Sequence, residues 1–143
     1  MSKVDSKQCA ALMERIEELS SRYVESMATN ELTGVQALML MRLGDREQRI
    51  GDLGNIYFGT NISYNVKKLV EMKYIVRKGG TIDKRVGLIS LTSKGKEIRA
   101  DLEKRHQMFA KHLDDNKLTA LANTIQSLRS VLSGDRFPTG IIF

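Results

Sequence analysis

Within the eight residues from Asn61 to Lys68 the chain gathers Asn61, Ser63, Tyr64, Asn65, Lys67 and Lys68. Amides and hydroxyls of these types bond base edges, and ammonium groups neutralise phosphates. An asparagine amide can hold adenine bidentately. The Tyr64 hydroxyl can reach a base, or its ring can pack on a thymine methyl. Lys67 and Lys68 suit phosphates, adding affinity without sequence information. Each residue also has a plain structural use: Asn61 and Ser63 suit the polar chemistry of a helix terminus, and a lysine suits any solvated surface.

The surrounding spacing predicts a helix that separates these groups from a core face. With Ile62 at zero on a helical wheel, Val66 and Leu69 fall within about 40° of it, and Tyr64, Lys67, Lys68 and Glu71 fall opposite. Asn65 sits at the margin of the exposed face. Thr60 is the expected N-cap, with Gly59 supplying a sharp turn before it.

Charge supports the same face. From Thr60 to Arg99 ten basic residues stand against three acidic ones, a local excess of +7, whereas 13 basic and 14 acidic residues lie outside. A basic middle between near-neutral flanks suits a phosphate-binding module held in a scaffold. The 143 residues, 41% hydrophobic and 28% charged, fit one domain of ordinary size. The longest apolar run, Ala37 to Met41, is far too short to span a membrane, and the polar start lacks a secretory apolar region, so a cytoplasmic protein is expected. One cysteine, Cys9, excludes an internal disulfide, and two histidines leave little for a zinc site, so no metal or other cofactor is expected.

The remaining periodicities supply the scaffold. Cys9, Leu12, Met13, Ile16, Leu19, Tyr23 and Met27 recur at intervals of three and four and predict a long amphipathic helix from about Ser6 to Ala28. Thr33 and Gln36 form a capping-box pattern opening a second helix that stops near Gly44, and Asp45 to Arg49 reads as a charged connector. Ile50, Leu53 and Ile56 predict a short helix, which makes a helix-turn-helix with the next. Tyr74–Lys78 and Val86–Leu91, β-branched runs around a glycine-containing loop, predict a hairpin. Thr92 caps a long helix with Ile98, Leu102, Met108, Phe109 and Leu113 as core candidates. Asp114-Asp115-Asn116 breaks it before a last helix carrying Leu118, Leu121, Ile125, Leu128 and Leu132. The apolar end of the tail, Ile141-Ile142-Phe143, needs cover from its own domain or a partner. There are more amphipathic terminal helices than a small DNA-binding module needs, and a two-fold dimer would bury them.

The stretch Asp83-Lys84-Arg85-Val86-Gly87-Leu88-Ile89-Ser90-Leu91-Thr92-Ser93-Lys94-Gly95 resembles the wing of the multiple-antibiotic-resistance regulator (MarR) family, with its D-x-R…L-T-x-x-G pattern. Asn61 to Val76 resembles that family's recognition helix and first wing strand. Where the family has Lys-Gly before that strand, this chain has Lys73-Tyr74. The helix before the turn is shorter than in the family and carries Tyr57-Phe58. The resemblance implies a mainly α fold with a small β-hairpin wing: a winged helix-turn-helix over about 31–99, with dimerisation helices at about 1–30 and 100–143 of a single domain. It also implies a homodimeric transcriptional regulator on a pseudo-palindromic double-stranded DNA operator, with the recognition helix in the major groove and the wing in the minor groove. Its expected DNA contacts here are Thr60, Asn61, Ser63, Tyr64, Asn65, Lys67, Lys68, Lys84 and the wing-tip Arg85. A guanidinium suits a narrow minor groove, and Asp83 orients Arg85 or holds the turn.

The family often binds a small aromatic effector between dimer helices and winged domain, which makes Tyr23, Met27, Met39, Tyr57 and Phe58 pocket candidates. Met and aromatic residues at helical spacing also serve as plain core. A thiol- or metal-responsive sensor of the same fold is an alternative. Cys9 lies in the helix that carries the reactive cysteine of the family's hydroperoxide sensors, but only Lys7 lies near it as a cation, and a small apolar role on the stripe fits as well. A nonspecific DNA- or protein-interaction module is another alternative. No nucleophile–base pair or paired carboxylates stand out, Gly79-Gly80 lacks a phosphate-loop pattern, and His106 and His112 fall on a solvated helix, so an enzyme is not expected.

Overall fold

Local capping chemistry sets most helix starts in the computed structural model, which describes residues 5–53, 61–79 and 87–135. The Asp5 carboxylate accepts the Lys7 amide at 3.0 Å and opens α1 (Ser6–Ser26). Thr33 and Gln36 form the expected box: the Thr33 hydroxyl accepts the Gln36 amide at 3.2 Å, and Gln36 Oε1 accepts the Thr33 amide at 3.1 Å, which opens α2 (Gly34–Arg42). A 3-10 turn, Ile50–Leu53, precedes α3 (Ile62–Glu71) in sequence. α4 (Ser93–Ala110) follows the wing, and Asp114, accepting the Lys117 amide at 2.7 Å, caps α5 (Asp115–Ser130). A short π-helical turn, Val131–Asp135, follows α5.

The hairpin forms as expected, from β2 (Ile75–Gly79) and β3 (Gly87–Leu91), antiparallel with Ile75 opposite Leu91 and Gly79 opposite Gly87. The sheet has a third strand where the sequence predicts only a connector: β1 (Gln48–Arg49) pairs with β3, giving the order β1-β3-β2. Two residues carry too little pattern to announce a strand. Their pairing comes from the free edge that β3 offers and from Ile50, whose Cδ1 lies where a Cβ on Gly87 would come within 2.5 Å of it.

The core gathers around α2, which is buried along most of its length. Leu38, Met39, Leu40 and Leu43 pack with Met27, Leu32, Leu53, Val66, Leu69, Ile75, Ile89 and Leu102. α1 meets α2 so closely that a Cβ at Gly34 would stand 1.9 Å from the Val24 carbonyl oxygen. Tyr74 ties this junction to the sheet: its ring is buried, and its hydroxyl donates to the Glu31 carboxylate at 2.5 Å.

By its contacts the chain divides into two units, Met1–Lys104 and Arg105–Phe143, with the boundary inside α4. All the winged-helix elements lie in the first. In α4 only Leu102 of the expected core residues is buried. Met108 is 67% exposed and Phe109 is also exposed, a correction to their expected burial, and in the second unit Leu118, Leu121 and Ile125 are exposed as well. The α1 stripe Leu12, Ile16 and Leu19 is likewise exposed. No helix among the described residues is long and apolar enough to cross a membrane.

The Tyr74 phenol is pushed up to about 12 from 10.0, first by its hydrogen bond to Glu31, then by burial and by the nearby negative charge. A value raised in the folded state means a contribution fully present below pH 10 and lost as the pH passes 12. Urea midpoints of the parent should therefore fall between these pH values more steeply than those of Tyr74→Phe. Parallel curves would show that the Glu31 bond does not act in the fold.

Candidate nucleic-acid interface

α3 is held at both ends and along one face, and its other face is open. Val66 and Leu69 are buried and Ile62 partly so, as the wheel requires, while Ser63, Tyr64, Lys67 and Glu71 are exposed. Tyr64 is 53% exposed. Lys68 is partly exposed, with its ammonium 5.7 Å from the Tyr64 ring centre and 3.6 Å from the Glu71 carboxylate. An exposed ion pair of this kind contributes little to stability, so the lysine stays available to a phosphate.

The N-cap is Asn61, one residue later than the expected Thr60: its Oδ1 accepts the Tyr64 amide at 2.9 Å. Capping uses one lone pair of this oxygen and fixes its direction, so a bidentate grip on adenine would have to form with the cap in place. Asn65 is a second correction. It is 8% exposed and turned inward, with Nδ2 donating to the Asn61 carbonyl at 2.9 Å and Oδ1 accepting from Gln36 Nε2 at 3.1 Å. A residue three places after Ile62 lies only about 60° from the stripe, which is the sequence signal for this inward role. Gln36, read from the sequence only as a cap residue, is the buried partner of Asn65.

The C-terminal end is a Schellman turn. The Lys73 amide donates to the Val70 carbonyl at 2.9 Å and the Tyr74 amide to that of Leu69 at 3.0 Å, with Lys73 at a left-handed φ of 66°. The position that wants glycine is therefore Lys73, one residue before the place the family comparison gave it. Lys94 Nζ donates to the Met72 carbonyl at 3.1 Å. The Thr92 hydroxyl donates to the Lys73 carbonyl at 2.6 Å and accepts the Gly95 amide at 3.0 Å, which also makes it the expected cap of α4. A Cβ on Gly95 would stand 2.0 Å from the Tyr74 carbonyl oxygen, so only glycine lets α4 start this close to the end of α3. The helix and the strands of the wing are thus fixed to one another by backbone contacts.

On the hairpin, Lys78 is exposed and pairs with Glu47 at 2.8 Å, while Val76 and Arg77 are exposed on the same strand. The expected contacts Thr60, Lys84 and Arg85, with Asp83, lie outside the described residues, as do Tyr57 and Phe58. Of the other pocket candidates, Met27 and Met39 are buried parts of the core. Tyr23 is partly buried against that core, and its phenol is raised by the burial. Cys9 is exposed as a free thiol, in contrast to a core place on the stripe.

Residues 32–95 match the winged helix DNA-binding domain family. The chain is 34% identical over 109 residues to the exopolysaccharide II synthesis transcriptional activator ExpG of Rhizobium meliloti (strain 1021), an alignment that covers 69% of this chain and 56% of that protein. The chain thus spans little more than half the length of this relative. Among solved structures it is similar to AbsC, a MarR family transcriptional regulator from Streptomyces coelicolor, with a TM-score of 0.72 at 19% identity over 94% of this chain and 99% of that one. It is also similar to a mutant of MarR from E. coli in complex with operator DNA, with a TM-score of 0.61 at 17% identity over 89% and 99% of the two chains.

Relieving the left-handed strain at the end of α3 should show in stability. Lys73→Gly should raise the unfolding free energy by about 1 kcal/mol, the left-handed penalty less the freedom that glycine adds to the unfolded chain. Urea denaturation measures it, and an unchanged or lowered midpoint would mean that Lys73 is held there by something stronger than the turn.

Proposed function

We infer that this chain, a winged helix DNA-binding protein of the MarR family, regulates transcription by reading double-stranded DNA as a homodimer. The observation that carries the reading is the outer face of α3: Ser63, Tyr64 and Lys67 stand free on a helix whose ends and inner face are all engaged elsewhere. That helix opens the segment holding the whole positive excess of the chain. In this reading α3 enters the major groove. Tyr64 and Ser63 meet base edges, and Lys67 and Lys68 hold phosphates, with Thr60 beside them. Lys84 and Arg85 on the wing reach the flanking minor groove, where a guanidinium meets the strongest negative potential. Asn61 contributes its free Nδ2, and Asn65 supports the helix from within. A DNA-binding role fits a cytoplasmic protein.

Dimerisation rests on exposed apolar residues: Leu12, Ile16 and Leu19 on α1, Met108 on α4, and Leu118, Leu121 and Ile125 on α5. Stripes of this kind invite a partner surface, and a second copy offers the same stripes in return. A small aromatic effector would control such a dimer only by binding one spacing of the two α3 helices more tightly than another.

Binding to duplexes from the promoter region next to its own reading frame, across a salt series, tests the DNA reading. The parent should keep its preference for one pseudo-palindrome as salt rises. Tyr64→Ala and Arg85→Ala should each lower that preference about tenfold, and Lys67→Ala should weaken all duplexes alike while flattening the salt slope by about 1. Preference unchanged in Tyr64→Ala would reject the outer face of α3 as the reading surface. In sedimentation the 16.1 kDa chain should run as a dimer and Leu19→Glu should shift it toward monomer. A monomeric parent would end the dimer reading.

A further inference from the structure

The first turn of α3 is joined to the first turn of α2 by a chain of hydrogen bonds whose central link, between the Gln36 and Asn65 side-chain amides, is buried. It begins at the Thr33 amide, which donates to Gln36 Oε1 at 3.1 Å. Gln36 Nε2 donates to Asn65 Oδ1 at 3.1 Å, and Asn65 Nδ2 donates to the Asn61 carbonyl at 2.9 Å. It ends where Asn61 Oδ1 accepts the Tyr64 amide at 2.9 Å. Gln36 and Asn65 are 6% and 8% exposed and, the Tyr74 phenol aside, are the only buried polar side chains among the described residues. We propose that Gln36 is a positioning residue for DNA reading: through Asn65 and Asn61 it fixes the rotation and advance of the first turn of α3, and with it the place of Ser63 and Tyr64. This rests on the reading of α3 as the DNA-binding helix.

Direction in the chain is forced. The Thr33 amide can only donate, so Gln36 must offer Oε1 to it and turn Nε2 toward α3. Asn65 must then accept on that side and donate on the other, to a carbonyl that can only accept. Each amide has one orientation, and a shift of α3 along or about its axis breaks at least one bond, the central one between two buried side chains. Apolar side chains of similar volume would hold the two helices together at little or no cost in stability, but they tolerate sliding, which directional bonds do not. A reading helix needs that restriction, because base contacts are made only within about 0.5 Å of the right place.

Gln36→Glu separates positioning from capping. The carboxylate still accepts the Thr33 amide but has no donor for Asn65. Asn65 must turn over to reach it, and its own oxygen then faces the Asn61 carbonyl. Gln36→Met keeps the volume and guards against misfolding from the buried charge. Thr33→Ala removes the capping hydroxyl and leaves every link of the chain in place, so it serves as the stability control.

The measurement uses two duplexes: the one most enriched by the parent from a random-sequence library, and a shuffled duplex of the same length and composition. Circular dichroism sets a temperature at which all the proteins are folded. Gln36→Glu and Gln36→Met should each lower the ratio of the two affinities about tenfold, the worth of about one base contact, with binding to the shuffled duplex within about twofold of the parent. Thr33→Ala should keep the ratio within about twofold of the parent despite a lower thermal midpoint. If both Gln36 variants keep the parent's ratio, or if Thr33→Ala lowers it as much as they do, the positioning role is wrong while the DNA reading stands. If the parent enriches no duplex, the reading of α3 itself fails, and this inference with it.

Discussion

A helix that works from its outer face must satisfy every polar group on its inner face without help from solvent, and α3 meets this condition at Asn65. An asparagine with 8% of its surface exposed would be costly if either amide atom lacked a partner. Both have one, and neither partner comes from the outer face. The Asn61 cap and the capping box of α2 are drawn into one hydrogen-bonded path. Two helices that contribute to the core mainly through apolar side chains thereby acquire a defined register. The exposure of Tyr64 depends on it, because the same cap that satisfies the Tyr64 amide sets the point at which the helix begins.

The opposite end of α3 is solved by different means, and the contrast is informative. There the backbone turns through a left-handed Lys73, and the carbonyls left over by the helix are met by Lys94 and by the Thr92 hydroxyl. Thr92 stands at the junction of β3 and α4, and Gly95 lets that junction approach to backbone contact with Tyr74. Three features that look independent in sequence, a threonine cap, a glycine three residues on and a tyrosine before a strand, are parts of one joint. The angle between α3 and the hairpin follows from that joint and from the pairing of β2 with β3. If the wing reaches DNA beside the groove that α3 enters, this joint sets the distance between the two contacts.

Much of this was legible in the residues. The stripe of Ile62, Val66 and Leu69, the Thr33–Gln36 box, the Thr92 cap and the hairpin follow from rules that act over a few residues, and the structure has them. What was not legible depends on groups far apart in the chain. The bond from Gln36 to Asn65 joins positions 29 apart, and no local rule says that a capping glutamine will spend its second amide atom on another helix. β1 is too short to have a pattern and exists because β3 has an edge to fill. Met27 and Met39 have types that suit a pocket, and only the packing around α2 shows that they fill the core. The left-handed turn at the end of α3 has no mark in the sequence, because a lysine stands where the turn favours glycine.

The apolar pattern of α1 bears on how far a single chain accounts for its own sequence. Leu12, Ile16 and Leu19 keep the helical spacing of a buried stripe, yet no residue of α1 is buried, and Leu19 is 64% exposed. Such a stripe lowers free energy only when water is removed from it, at about 25 cal/mol per Å² of apolar surface. α2 has the opposite character: it is buried nearly all round and packed by its own chain. A sequence that satisfies one helix internally and leaves another patterned but uncovered has part of its apolar surface unpaired at the level of one chain. A second copy would supply the missing cover. It would also set two copies of α3 at a fixed spacing, which is what a two-fold DNA site requires of a protein that reads it.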